Sequence, residues 1–164
     1  MIGSKPESNT IQYQLMKALT LSLAALSIAL LPVHQASAHC QVPCGIYADD
    51  NVFVTMYKDQ ETVSKAMAQI TELSKDMASN ANQVSRWVTN KEQHAQSIQD
   101  TVAKYFLAQR VKIDEADQAT YTKKLTLLHQ ITVYAMKCKQ GTDPENAKKL
   151  HDAIHAFEAL YKKK

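Results

Sequence analysis

The segment His39 to Tyr47 carries the densest group of potential metal ligands in the chain and reads H-C-Q-V-P-C-G-I-Y. It supplies one imidazole and two thiols within six residues. The triplet Ala36-Ser37-Ala38, which stands immediately before it, is the small-residue pattern of a signal-peptidase site. Cleavage after this triplet makes His39 the N-terminus and adds a free amine to the donor groups. The sequence therefore predicts a metal-binding segment, residues 39–47, that is created by processing, and we call it the hook.

The donor atoms of the hook favour a flat coordination geometry. An N-terminal amine deprotonates readily near neutral pH, and the two thiols bind metal as thiolates. The backbone amide of Cys40 lies between the amine and the first thiolate, so it closes two adjacent chelate rings when it ionises. One amine, one amide nitrogen and two sulfurs form an N2S2 set, which indicates Ni(II) or Cu(II) rather than tetrahedral zinc. The imidazole of His39 is then available as an axial fifth ligand.

The hook resembles the nickel-binding hook of nickel superoxide dismutases, H-C-x-x-P-C-G-x-Y, and matches it at every fixed position. The resemblance implies that His39, Cys40 and Cys44 hold one nickel ion per subunit. In this family the metal cycles between Ni(II) and Ni(III) while superoxide is converted to O2 and H2O2. The resemblance also implies an all-α four-helix bundle that assembles as a homo-oligomer, a homohexamer, with superoxide as its substrate.

Three further hook residues have roles implied by the same resemblance. Tyr47 is the expected catalytic gate, standing over the open face of the metal as a hydrogen-bond donor. Pro43 is expected to fix the bend between the two cysteines, and Gly45 to allow a backbone course that other residues resist.

The chain departs from the family pattern near the hook. Gln41 stands where some members carry aspartate. Family members place a glutamate shortly after the gate tyrosine to orient the axial imidazole, but residues 52–57 contain no acid, and Thr55 is nearest in spacing. His94, in the family-like segment Lys91-Glu92-Gln93-His94, stands where a basic residue assists, and we expect it beside the His39 imidazole. The segment Tyr105-Phe106 is also similar to the family.

The first 38 residues are typical of a secretory signal peptide. Lys17 precedes an uncharged apolar run from Ala18 to Leu31, and Pro32 and the Ala-Ser-Ala triplet follow. The run is short for a membrane-spanning helix, so we expect no membrane span after processing. We expect an exported protein, periplasmic or secreted, rather than one matured in the cytoplasm. The predicted domains are residues 1–38, which are removed, the hook at 39–47, and a helical domain at 48–164.

The helical domain is predicted from composition and periodicity. From Asn51 onward the chain has one glycine, Gly141, and one proline, Pro144, and apolar residues recur at intervals of three and four within 63–77, 84–106, 113–138 and 147–161. Asn82 is a candidate N-cap between the first two segments, and Gly141 to Glu145 marks a clear boundary before the last. Short connections imply antiparallel neighbours in a four-helix bundle.

Composition narrows the function classes. Lys and Arg number 19 against 16 Asp and Glu, for a net charge of +3, and the only basic block is Lys162-Lys163-Lys164. This pattern does not indicate nucleic-acid binding. The third cysteine, Cys138, lies in a predicted helix far from the hook, and we expect it to be a small buried hydrophobe.

Two other interpretations of the hook remain open from the residues alone. A Cys40–Cys44 disulfide in a secreted helical binding protein is one, because disulfides are frequent in exported chains. A copper protein using an N-terminal histidine brace is the other, although it needs a second histidine and has no use for the thiols. The pair His151 and His155 lies four apart on one helical face, and we expect these side chains to be solvated or partly buried rather than metal-bound.

Overall fold

Four α-helices account for most of residues 49–163, and we name them in chain order. The computed structural model describes Tyr13, Met16, Lys17 and residues 49–163. Helix α1 runs Asp50–Leu73, α2 Met77–Thr101, α3 Gln118–Gln140 and α4 Pro144–Lys162. A 3-10 turn, Ser74–Asp76, separates α1 from α2, and a π-helical segment, Val102–Arg110, continues α2. The described residues contain no strand, so the all-α prediction is confirmed.

The helices form a bundle in which sequence neighbours pack together and the last helix returns to the first. Contacts join α1 to α2, α2 to α3, α3 to α4, and α4 to α1. The apolar stripes of all four meet in one core, whose largest fully buried side chains include Phe53, Met67, Ile98, Leu128 and Phe157. The prediction of a four-helix bundle therefore agrees with the observed packing. No described helix is long and apolar enough to cross a membrane.

One end of the core is aromatic. The ring centres of Phe106 and Phe157 lie 4.8 Å apart and those of Phe53 and Phe106 lie 5.2 Å apart. Tyr105 packs its ring edge against Phe106 at 5.1 Å, and the Tyr161 ring lies 5.5 Å from the same residue. Close, inclined aromatic pairs of this kind restrict ring orientation, so the hydroxyls of the two tyrosines are held in fixed positions.

The boundary between α3 and α4 is the one predicted. The carboxylate of Asp143 accepts a hydrogen bond from the backbone N–H of Glu145 at 3.0 Å, and Pro144 occupies the first helical position. Gly141 ends α3 with a φ of −155°, which is extended backbone rather than a left-handed cap. Its N–H still reaches the carbonyl of Lys137 at 3.1 Å.

The boundary between α1 and α2 lies earlier than predicted. Asn82 sits inside α2, so the interpretation of Asn82 as a cap is wrong. Asp76 is the N-cap, and its carboxylate accepts from the N–H of Ser79 at 3.2 Å. Met77, at the end of the first predicted apolar stripe, begins α2 and is exposed. Ile113, at the start of the third, is 83% exposed because it lies in the connection before α3.

Lys91 joins two of the helices by capping the end of α3. Its side chain is buried, and the ammonium group donates to the carbonyls of Cys138 at 2.7 Å, Lys139 and Gly141 at 3.2 Å. The carbonyls of Cys138 and Lys139 belong to the last turn of α3, where helix geometry leaves them without an intrahelical partner, and Gly141 is the C-cap. A cation at this end also compensates the helix dipole, so the first residue of the family-like segment 91–94 has a structural task.

Candidate metal centre

The predicted ligands and the hook lie outside the described residues. This applies to every predicted hook residue: His39, Cys40, Pro43, Cys44, Gly45 and Tyr47. Within residues 49–163, no group of three or more His, Cys, Asp or Glu side chains is arranged to hold a metal ion. The described residues therefore bear on the metal centre through what lies next to the hook in sequence and through the predicted neighbour His94.

Asp49 opens the continuous described stretch, two residues after Tyr47, and its carboxylate is the centre of a polar cluster. The hydroxyl of Tyr105 donates to Oδ1, while Nη2 of Arg110 at 2.7 Å and the hydroxyl of Tyr161 at 2.8 Å donate to Oδ2. Nε of Arg110 also donates to the hydroxyl of Tyr161 at 2.9 Å. We call these four residues the Asp49 cluster; it joins the start of α1 to the π-helical segment and to the last turn of α4.

Electrostatics within the Asp49 cluster favour the charged carboxylate. Burial alone would raise the pKa of Asp49, but the hydrogen bonds from Tyr105, Tyr161 and Arg110 hold that pKa below its ordinary value. Burial and the hydrogen bond to Asp49 raise the pKa of the Tyr105 hydroxyl. The tyrosine therefore stays protonated and continues to donate across the physiological range.

The π-helical segment explains how two of its side chains reach one carboxylate. Tyr105 and Arg110 are five residues apart, which in a regular α-helix would separate them by about 140° around the axis. The segment 102–110 instead has π-helical hydrogen bonding, and the N–H of Val111 reaches the carbonyl of Phe106 five residues back at 2.8 Å. This wider turn brings residues five apart onto one side, so both side chains contact Asp49.

His94 pairs with a buried acid on α1. Its Nδ1 lies 2.7 Å from Oδ1 of Asp59, and the hydroxyl of Ser97 donates to Oδ2 of Asp59 at 2.6 Å. An ionised carboxylate only accepts hydrogen bonds, so Nδ1 is the donor of this pair, and Nε2 has no hydrogen-bond partner among the described residues. The Asp59 side chain is 10% exposed and the His94 side chain 35% exposed, so the acid is buried and the histidine is partly accessible to solvent.

Asp59 lies one helical turn after Thr55, the position nearest in spacing to the orienting acid of the family. The hydroxyl of Thr55 donates to the backbone carbonyl of Asn51 at 2.9 Å and is exposed. On this side of α1 the acid is Asp59, and it pairs with His94.

The remaining cysteine and the histidine pair behave as predicted. Cys138 is fully buried and free, and burial raises the pKa of its thiol to about 11. His151 and His155 are both exposed, which confirms the expectation that they are solvated.

These observations define a helical-bundle protein with a ligand-rich segment ahead of its first helix. The profile of the family described as nickel-containing superoxide dismutase matches residues 34–164, and the chain belongs to this family. It is therefore an oxidoreductase that acts on superoxide and uses a nickel cofactor. The disulfide-stapled binding protein and the copper brace are left without support. No curated protein and no solved structure matches the chain.

Sequence reasoning did not single out Asp49, Asp59, Arg110 or Tyr161. A helical-spacing signal existed for Asp59, because it lies four residues after Thr55 and shares its helix face. In the Asp49 cluster only Tyr105 lies in a segment similar to the family; the three partners of Asp49 are 56, 61 and 112 residues from it in sequence, so no spacing pattern links them.

Proposed function

We propose that the nickel of this superoxide dismutase is held at the N-terminus of the processed chain. The ligands are the amine and imidazole of His39, the amide nitrogen and sulfur of Cys40, and the sulfur of Cys44. The family match carries this proposal, because it begins at residue 34 and so includes the hook together with the bundle. The donor set fits as well, since amine, amide and thiolate donors suit a flat nickel site.

The ligands themselves tune the reaction. When bound, the nickel supplies one-electron redox chemistry between Ni(II) and Ni(III). Two superoxide ions and two protons yield one O2 and one H2O2, so one superoxide is oxidised for each one reduced. The thiolates of Cys40 and Cys44 and the ionised Cys40 amide are anionic donors that stabilise the higher oxidation state. They thereby lower the metal's potential into the range that superoxide chemistry needs.

The other hook residues shape the site and control access to it. Pro43 fixes the bend between the cysteines and Gly45 relieves the backbone there. The hydroxyl of Tyr47 stands at the open face as a gate and donates a hydrogen bond to the small anion that enters. A modest positive net charge, +3 for the whole chain, assists the approach of an anionic substrate.

We assign His94 to the support of the His39 imidazole. The hydrogen bond to Asp59 fixes the His94 ring and its tautomer, leaving Nε2 as the atom available for a neighbouring group. Metal-bound histidines ordinarily have such outer partners, which orient the ring. In this chain the pair His94–Asp59 takes the place of an acid at position 55.

The deciding experiment compares the processed protein beginning at His39 with a variant carrying one glycine before His39. The extra residue moves the amine away from the imidazole and the Cys40 amide, so we expect nickel content and superoxide removal to be lost together. Cys40→Ser and Cys44→Ser are expected to lose nickel as well. Unchanged activity in the extended variant removes the amine from the mechanism and contradicts the proposed site.

The cleavage that exposes His39 also defines the cellular route. Residues 1–38 act as a signal peptide, and the mature enzyme, with the hook at 39–47 and the bundle at 48–164, is exported to the periplasm or medium. The apolar run 18–31 and the triplet 36–38 support this route. Mass spectrometry of the mature protein tests it, and an N-terminus other than His39, or retention in the cytoplasm, contradicts it.

The mature subunits assemble as a homohexamer. Support comes from the family resemblance together with large apolar side chains on the surface of the single subunit, among them Val54, Val88, Leu107 and Met136. Native mass spectrometry should give a mass about six times that of the processed subunit. A monomer at micromolar concentration contradicts the assembly.

A further inference from the structure

We infer that Asp49 is a positioning residue for the metal centre, because the Asp49 cluster fixes the point at which the nickel-binding hook leaves the bundle. This inference rests on the proposed function. Asp49 does not contact the reacting atoms in this scheme; it acts through the backbone that follows Tyr47.

The side chain of Asp49 does not cap the helix, although Asp49 occupies the N-cap position. Asp49 is the N-cap residue of α1, where an aspartate ordinarily accepts from the first free N–H groups of the helix. Its side chain makes no such cap hydrogen bond. Both oxygens are instead used by Tyr105, Arg110 and Tyr161, so the carboxylate serves a tertiary contact rather than the helix end.

The partners of Asp49 are themselves held in place. The ring of Tyr105 is 2% exposed and packs against Phe106. The Tyr161 ring lies 5.6 Å from Phe157 and 5.8 Å from Phe53, so it is fixed by α4 and α1 together. Arg110 donates through Nη2 to the carboxylate of Asp49 and through Nε to the hydroxyl of Tyr161. Three fixed donors hold the carboxylate of Asp49 in one position. The backbone of residue 49 is therefore held in place as well.

Chain length carries this restriction to the metal ligands. A fully extended chain advances at most about 3.6 Å per residue, so the backbone of Tyr47 lies within about 7 Å of Asp49 and that of Cys44 within about 18 Å. Anchoring residue 49 therefore limits the volume the hook can explore. It lowers the entropy that the hook loses on closing around nickel.

A neighbouring acid provides a matched control. Asp50 lies one residue further on, its side chain is 69% exposed, and it pairs at the surface with Lys162 at 2.6 Å. Asp50→Asn makes the same chemical change as Asp49→Asn and removes the same charge at the same end of the bundle. Only Asp49→Asn disturbs the Asp49 cluster.

The test uses processed wild-type, Asp49→Asn and Asp50→Asn proteins loaded with nickel. The rate of nickel release to excess EDTA, the EPR spectrum of the oxidised nickel and the far-UV circular dichroism are measured on each. Because Asp49→Asn weakens the anchor and so increases the entropy that the hook loses on closing around nickel, we expect release from Asp49→Asn to be about tenfold faster, with an altered EPR line shape and unchanged helix content. Asp50→Asn should remain within about twofold of wild type.

Release and EPR spectra of Asp49→Asn that match those of wild type overturn the inference and leave the proposed function standing. A wild-type protein that binds no nickel overturns the proposed function, and the inference with it. The two failures are therefore distinguishable within one set of samples.

A second pair of variants covers the case in which Asp49→Asn does not fold. Tyr161→Phe removes one donor to Asp49 and keeps the ring among its aromatic neighbours. Tyr57→Phe removes a comparable hydroxyl, which donates to Glu158 at 2.7 Å outside the Asp49 cluster. Nickel release should be a few-fold faster in Tyr161→Phe and unchanged in Tyr57→Phe; equal rates in both variants contradict the inference.

Discussion

Cys138 is a thiol that burial withdraws from reaction. Its side chain is fully buried, and burial raises the pKa of the thiol to about 11. At pH 8 only about one molecule in a thousand would carry the reactive thiolate, even if reagent could enter. In the metal-free processed protein we therefore expect two fast thiols with a disulfide-exchange reagent, and a third only after denaturant is added. Three fast thiols in the native protein contradict this assignment.

Asp49 gives a pH-dependent contribution to stability whose sign follows from its hydrogen bonds. Burial opposes the charged carboxylate, but the donors Tyr105, Tyr161 and Arg110 outweigh it and lower the folded pKa below the ordinary value of 3.8. The contribution is therefore fully present above the unfolded pKa and is lost as the pH falls through the folded one.

This dependence is measurable as a difference between two proteins. The free energy of unfolding of wild type should exceed that of Asp49→Asn at pH 6, and the gap should narrow as the pH falls below about 4, because protonated aspartate and asparagine then resemble each other. Urea titrations from pH 6 to pH 2 measure the gap. A gap of constant size across this range contradicts the role of the charge.

At this scale, the sequence predicts the residues whose chemistry is local. His39, Cys40 and Cys44 stand close together in the chain, so their donor atoms were recognisable without a structure. The partners Arg110 and Tyr161 reach Asp49 only through the packing of separate helices, and no pattern within the chain marks them.

Among the elements, α2 and α3 are linked by the buried ammonium group of Lys91. Lys91→Met keeps most of the side-chain volume but removes three hydrogen bonds to carbonyls at the end of α3. Hydrogen bonds to charged groups contribute about 1.5–3 kcal/mol each before the desolvation of the lysine is counted, so we expect the free energy of unfolding to fall by about 2–4 kcal/mol. Urea unfolding at pH 7 measures this.

Lys148→Met is the control for this substitution. Lys148 pairs with Asp152 on the surface of α4, with 67% of its side chain exposed. Exposed ion pairs of this kind contribute little, so its removal should leave the unfolding midpoint unchanged. Equal effects of the two substitutions contradict the capping role of Lys91.

The start of α2 offers a paired test of helix boundaries. Asp76→Ala removes the side chain that accepts from the N–H of Ser79, and we expect the melting temperature to fall by about 3 °C. Asn82→Ala replaces a mid-helix residue of modest propensity with the best helix former, so the melting temperature should stay the same or rise. A lower melting temperature for Asn82→Ala than for Asp76→Ala would instead support Asn82 as the cap.

The periodicity of apolar residues predicted four helices, whereas the residues at which the helices begin and end depend on contacts that periodicity does not show. Asp143-Pro144 marks a boundary because cap and proline are both required at one helix start. Asn82 resembles a cap because it precedes the apolar segment 84–106, but α2 already begins at Met77, directly after the 3-10 turn Ser74–Asp76. No local sequence signal predicted the π-helical segment, whose residue Tyr105 contacts both the aromatic core and Asp49.

For the whole molecule, the bundle has a core that does not depend on the metal. Its buried apolar residues come from all four helices and from the π-helical segment between residues 102 and 110. Removing nickel from the processed enzyme should therefore leave the circular dichroism at 222 nm unchanged and lower the melting temperature only by the binding contribution. A large loss of helix on nickel removal contradicts this separation of core and site.

The contact between Asp49 and Tyr161 also orders events during biosynthesis. The two residues are 112 positions apart, so the ribosome completes the ligand segment long before it makes the tyrosine that helps to anchor it. A nascent chain that has not reached Tyr161 carries the thiols and the histidine but lacks the contact between Tyr161 and Asp49. Correct metallation should accordingly be confined to chains whose synthesis has passed α4, and a prematurely terminated chain would compete poorly for scarce nickel.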